Sequence, residues 1–263
     1  MAMLLRTAVV LSALVVAGCG EDPGPSSADD PSTAETEAAD RQAPFVEKDG
    51  EIQVSCGGGD GWSPSIMASG IESPLSQSEM TQVFRELLAN PKYAGELELS
   101  FLTKGAEGTP WRLLEIDGDA YTLGLDTWTE DGPVDGAFVM GIERRGDAWV
   151  WSGGGNCHLA PVLRPGHTWV ELHGADLDRT ATDPRVDVNE RTCTSARDPS
   201  PYLHDPYVVE TDESVTVYWT STPPQGGQDC PGNPSVSRPL PLSEPLGDRE
   251  LLDGSTYPPS PVG

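Results

Sequence analysis

The sequence predicts an α+β protein: an antiparallel meander sheet carrying one amphipathic helix, followed by a small all-β, sandwich-like domain. Three observations predict it. The stretch 77–90 carries one apolar stripe, with Met80, Val83, Phe84, Leu87 and Leu88 at i, i+3, i+4, i+7 and i+8. Beyond it, alternating apolar segments flank short Gly/Asp turns, the pattern of tight hairpins. From Pro184 onward there are only short alternating runs between dense Pro and Gly turns, which favours a sandwich. One helix among several antiparallel hairpins is an α+β arrangement.

In chain order, residues 51–56 read as a strand running into the glycine-rich stretch 57–62. That stretch lacks GK[ST] and no helix signal directly follows, so it reads as a loop beside a cysteine and not as a phosphate cradle. Ser76 and Glu79 have capping-box spacing, and Asn90-Pro91 stops the helix because a residue before proline avoids the α region. Leu97, Leu99 and Phe101 alternate with Glu98 and Ser100 and predict a strand. Residues 111–116 and 120–125 flank Asp117-Gly118-Asp119; residues 138–144 and 148–151 flank Arg145-Gly146-Asp147. In each turn glycine takes positive φ at little cost. Trp149 and Trp151 share one face of their strand. A last short strand, 168–172, closes the first domain, and the polar stretch 174–183 marks the boundary. The expected organisation is therefore an α+β domain over 45–174 and an all-β domain over 184–257. In the second domain Val186 and Val188 alternate with polar residues, and strands 207–210 and 214–221 flank Thr211-Asp212-Glu213. Val215, Val217 and Trp219 take one face of the latter; Thr216, Tyr218 and Thr220 take the other.

The amino terminus is a different kind of segment. Arg6 supplies a positive charge, and 7–17 is an uncharged apolar run. At about eleven residues it is too short to span a bilayer, which takes about 20, but it fits the apolar core of a signal peptide. The run ends in Val16-Ala17-Gly18-Cys19. This ending resembles a bacterial lipobox. The resemblance implies a signal peptide over 1–18, cleavage before Cys19, diacylglycerol on the Cys19 thiol and further acylation, for instance by palmitate, of the new amino terminus. It implies a membrane anchor at the extracytoplasmic face. One acyl chain binds only marginally, whereas two or more hold firmly at ~0.8 kcal/mol per buried methylene. From Gly20 to Pro44 the chain is acidic and has no large apolar residue. Such a segment cannot offset its ordering entropy and reads as a disordered tether over 19–44, with a reach of about 25–30 Å.

With 16 Lys and Arg against 42 Asp and Glu, the net charge is −26. That excludes a nucleic-acid partner, whose phosphates need cationic side chains. It disfavours electrostatic adhesion to anionic lipid and favours basic partners or cations. Of the five cysteines, four remain when Cys19 is set aside: Cys56, Cys157, Cys193 and Cys230. Without CxxC spacing, and in an exported chain, they read as disulfides and not as zinc ligands or a redox pair. Of the three connectivities, Cys56–Cys157 with Cys193–Cys230 keeps each bridge inside one expected domain. Loop closure at those spacings corresponds to about 4.7 and about 3.9 kcal/mol in the chain-entropy model.

The tail carries Cys230-Pro231-Gly232-Asn233-Pro234, then Leu242-Ser243-Glu244-Pro245-Leu246-Gly247-Asp248-Arg249, then Leu252-Asp253-Gly254. This pattern resembles a recurring C-terminal region of actinobacterial exported proteins. The resemblance implies an envelope location and supports the Cys193–Cys230 pairing; it implies no activity. Read as residues, the motif is turn-forming, and Arg249 is expected to pair with Glu244, Asp248 or Asp253. The histidines His158, His167, His173 and His204 lack HExxH or paired-ligand spacing, and no GxSxG elbow occurs. The acidic loop 126–135 does not match an EF-hand. No catalytic residue, metal or cofactor is assigned. Trp62 and Trp128 lie in Gly/Asp-rich loops, and with Asp126 they suggest a shallow ligand or glycan platform. The expectation is a non-enzymatic, lipid-anchored envelope protein whose partner is a cell-wall glycan or another envelope protein. The alternative is a lipid-anchored extracytoplasmic hydrolase whose acid–base pair assembles only in the fold.

Overall fold

Local capping chemistry sets the helices. In this computed structural model, which describes residues 42–263 apart from 58, 94–98, 126, 127, 130, 131, 134–136, 175 and 176, three α-helices form. Helix α1 (Pro64–Ser69) has proline in its first turn, and the Ser63 hydroxyl accepts from the Ile66 N–H. At α2 (Gln77–Ala89) the Ser76 hydroxyl accepts from the Glu79 N–H, and the Glu79 carboxylate accepts from the Ser76 N–H at 2.8 Å. The expected capping box is therefore complete. Helix α3 (Leu99–Glu107) replaces the strand expected around Leu97–Phe101. Leu99, Leu102 and Ala106 also recur at helical spacing, and a short apolar run fits either period. Packing decides between them. Leu102 is buried, Phe101 stacks on Phe138 at 4.1 Å, and Gly105 lets the Phe84 ring of α2 lie against α3. A Cβ at Gly105 would meet that ring at 2.8 Å.

Both helices cover the meander sheet. Its strands Trp111–Asp117, Ala120–Leu125, Ala137–Arg145 and Ala148–Cys157 run antiparallel in sequence order. Leu113, Leu123, Met140 and Ile142 meet Met80, Phe84 and Leu87 in one core. A bulge between Leu113 and Glu115 turns the neighbouring Leu114 into a second cluster with Val54, Met67, Val139 and Leu159.

Two further four-stranded sheets make the sandwich. One orders Thr220–Ser221, Thr168–His173, Arg185–Glu190 and Val236–Pro239; the other orders Tyr207–Glu210, Ser214–Tyr218, Glu250–Asp253 and Ser260–Pro261. Between them lie Val170, Val186, Val188, Val215, Val217, Trp219, Leu240 and Leu251. The class is α+β, as expected. Thr168–His173, expected to close the first domain, pairs with Arg185–Glu190 across the polar stretch 174–183, and Gln42–Gly263 packs as one compact unit. A polar run between two strands is as well suited to a strand connection as to a linker, and here it connects partners in one sheet.

The folded unit begins with a backbone zipper. Val46 N–H donates to Val162 C=O, and Arg164 N–H donates to Pro44 C=O, each at 2.8 Å. The Arg164 guanidinium donates to the Ala43 and Phe45 carbonyls, and Phe45 is buried against Tyr207 and Tyr218.

The tail motif closes the other end. Arg249 pairs with Glu210 at 2.8 Å, not with any of its sequence neighbours, and donates to the Glu244 and Pro245 carbonyls. The turn wraps backbone oxygens around the guanidinium, so the carboxylate that completes the set comes from a distant strand. Asp253, 4% exposed, accepts from the Leu172 N–H at 3.1 Å and the Ser255 N–H at 2.8 Å, linking strands of both sheets. Burial pushes its pKa up, against the pull of the two amides. Asp253→Asn leaves one amide N–H facing an NH2 group. It should lower unfolding free energy by about 1–3 kcal/mol, the cost of an unpaired buried donor; an unchanged urea midpoint and slope would refute the linking role.

Candidate functional site

Of the residues expected to make a ligand platform, only the Trp62 side chain is described. Its ring is half-buried against the Val54, Met67, Leu114 and Val139 cluster, and its backbone exchanges two 2.8 Å hydrogen bonds with Val54. Its indole N–H is buried without a hydrogen-bond partner among the described residues. The backbone of Trp128 pairs with Pro133 in a two-residue ladder. Asp126 and Cys19 lie outside the described residues. The four remaining cysteines form Cys56–Cys157 and Cys193–Cys230, with Cα separations of 5.0 and 4.8 Å.

Polar side chains converge elsewhere, on the short strand Thr220–Ser221. Residue 204 is held beside it, since His204 N–H donates to Thr220 C=O and Thr222 N–H donates to Tyr202 C=O, each at 2.9 Å. The indole N–H of Trp219 donates to the His204 carbonyl at 2.8 Å. On the other side Thr168 pairs with Ser221, which places His167 next to the same strand. The result is a triangle of polar atoms. Thr220 Oγ1 is 2.9 Å from His167 Nδ1 and 3.1 Å from His204 Nδ1, and the two nitrogens are 3.0 Å apart. The rings meet edge to face at 4.6 Å. The far nitrogen of His204, Nε2, is 3.1 Å from Thr222 Oγ1. Partial burial, then the neighbouring His204, then Arg164 hold the His167 pKa below the usual imidazole range.

Strand alternation points Ser221 the other way. Its hydroxyl donates to Glu190 at 2.6 Å, and Glu190, 2% exposed, is ion-paired with Arg197. Burial alone would raise the Glu190 pKa, but Arg197 and Ser221 bring it below the usual carboxylate range. Arg197 also donates to the Thr222 carbonyl at 2.6 Å and lies 3.8 Å over the Tyr202 ring. Asn233 of the tail motif donates to the Glu190 and Thr192 carbonyls, both at 2.6 Å, and accepts from the Thr194 hydroxyl. Asn233 and the Cys193–Cys230 bridge thus close the loop that follows Glu190, beside a shallow depression of about 280 Å³.

The sequence names every one of these residues but gives no sign that they meet. His167 and His204 are 37 positions apart and belong to no spaced motif. The available hint is the alternation of Thr220 and Thr222 around Ser221. Among the described residues no group of three or more His, Cys, Asp or Glu is placed to hold a metal, and no helix is long and apolar enough to cross a membrane. No family model, no curated protein and no solved structure matches the chain.

The depressed His167 pKa has a definite sign in stability. The unfolded chain takes up the proton first, near pH 6.5, so stability is full above that value and falls as the pH drops below it. Urea midpoints at pH 7.5 and 5.5 should therefore differ less in His167→Gln than in the parent; equal differences would show that His167 carries none of this linkage.

Proposed function

We propose that this chain is an exported lipoprotein of the cell envelope that acts by binding or scaffolding and not by catalysis. In this reading residues 1–18 are removed as a signal peptide and Cys19 carries the lipid. The acidic segment 19–44 is a tether that displays the folded unit at the extracytoplasmic face of the membrane. The supporting observation is the accounting of thiols. Four of the five cysteines are consumed in two disulfides, and the one left over is the cysteine that ends the apolar amino-terminal run. Disulfides persist in oxidising compartments, and an odd cysteine in an exported chain calls for a reason. Thioether formation is such a reason, because it removes a reactive thiol and supplies the anchor together.

The charge of −26 supports the same reading. It keeps a displayed protein off anionic lipid and selects basic or uncharged partners, such as a wall glycan or an envelope protein with a cationic face. Metabolic labelling with an alkyne fatty acid in a bacterial host, followed by detergent phase partitioning, tests the anchor. The parent should carry label and enter the detergent phase, and Cys19→Ser should lose both. Label retained by Cys19→Ser, or intact parent protein in the cytosol with reduced thiols, would overturn the proposal. The bridges have their own readout: Cys193→Ser with Cys230→Ser should cost about 2–4 kcal/mol of unfolding free energy in urea, and no change would remove them from the stability argument.

A further inference from the structure

We propose that His167, His204 and Thr220 form a binding site for one divalent first-row transition ion of the imidazole-seeking kind, such as Ni²⁺, Cu²⁺ or Zn²⁺. The inference is independent of the lipid anchor.

The first argument is metric. Ligands ~2.1 Å from a metal and at right angles to one another lie ~3.0 Å apart. The three atoms here are separated by 2.9, 3.0 and 3.1 Å, so they match one face of a six-coordinate ion. The second argument is orientation. The Thr222 hydroxyl lies 3.1 Å from His204 Nε2 and can accept a hydrogen bond from its N–H, leaving the lone pair of His204 on Nδ1, toward the triangle. A hydrogen bond to the outer nitrogen is the usual device that aims a metal-binding imidazole. The third argument is preorganisation. Thr220 is 2% exposed, and its strand is hydrogen-bonded to the backbone at His204 and paired with Thr168. Binding therefore orders little that is not already ordered.

Without an ion, a hydrogen bond donated by the N–H of His167 Nδ1 to His204 Nδ1 fits their 3.0 Å separation. Binding replaces that proton: His167 shifts its N–H to Nε2, and both Nδ1 lone pairs face the metal. The half-exposed rings leave the other coordination positions to water. Arg164, close enough to bear on His167, works against an added positive charge, so moderate and exchangeable binding is expected.

Full-length protein, treated with chelator and dialysed, would be titrated with NiCl₂, CuCl₂ and ZnCl₂ against a chromophoric indicator, with CaCl₂ and MgCl₂ as hard-cation controls. One equivalent of a transition ion should bind, with no competition from the hard cations. His167→Gln and His204→Gln should each weaken binding at least tenfold, and Thr220→Val severalfold. His158→Gln and His173→Gln should leave it unchanged. Because a variant can fail to fold, the parent also supplies a readout: sub-stoichiometric Cu²⁺ should broaden the imidazole NMR signals of His167 and His204 before those of His158 and His173. Absence of binding, binding that survives the His167→Gln, His204→Gln double variant, or first broadening at His158 or His173 would overturn the proposal.

Discussion

The sandwich depends on a single residue that belongs to neither sheet. Trp219 separates Ser214–Tyr218, in one sheet, from Thr220–Ser221, in the other, so one run of chain serves both layers. Its ring, 3% exposed, fills the core between them. Its main-chain carbonyl accepts from Val170 of the central strand, and its indole N–H donates to His204. An indole is suited to this corner because it brings a large apolar body and one donor, which here reaches an acceptor. The acceptor it finds is the main-chain carbonyl of His204, one of the histidine pair. Core packing and the polar edge are therefore coupled through the same side chain.

Two buried carboxylates show two ways of keeping charge inside a small core. Glu190 is neutralised by a guanidinium, whose own exposed face is covered by Tyr202. Asp253 has no cation against it in the described hydrogen bonds and relies on two backbone amides. The difference is visible in the direction of their pKa values, lowered for Glu190 and raised for Asp253. An ion pair in such a place adds little net stability over apolar packing, but losing one partner leaves a stranded charge. The tail motif has the same logic. Asn233 and Arg249 each satisfy several backbone carbonyls that turns would otherwise leave without donors.

Features governed by neighbours in sequence were legible in the sequence. The capping box at Ser76, the stripe from Met80 to Leu87 and the two glycine-centred hairpins depend on spacings of two to eight residues, and they formed where those spacings placed them. The disulfides were legible for another reason: compartment and parity leave few choices for four cysteines. Around Leu99 the spacing was ambiguous and the Phe101–Phe138 and Phe84–Gly105 contacts decided it, which no local window contains. The same applies to Arg249, whose partner Glu210 lies 39 positions away, and to the pairing of Thr168–His173 across a polar stretch that resembled a linker. The histidine triangle was the least accessible, because three segments meet there and none carries a signature alone.

The zipper at the start of the folded unit has a mechanical consequence. Any pull applied through the residues before Gln42 arrives first at the hydrogen bonds that join the segment around Phe45 to residues 162–164, with the Phe45 ring lodged among tyrosines behind them. If those contacts rupture, the chain can peel only as far as Cys56, which is covalently held to Cys157. The slack released is about 50 Å at the contour length of an extended chain. The hundred-residue loop that contains the meander sheet is thereby excluded from the force path. The covalent bridge acts as a strain limiter for that loop: load crosses it to Cys157 and the residues that follow, while the helices and meander sheet within the loop bear none.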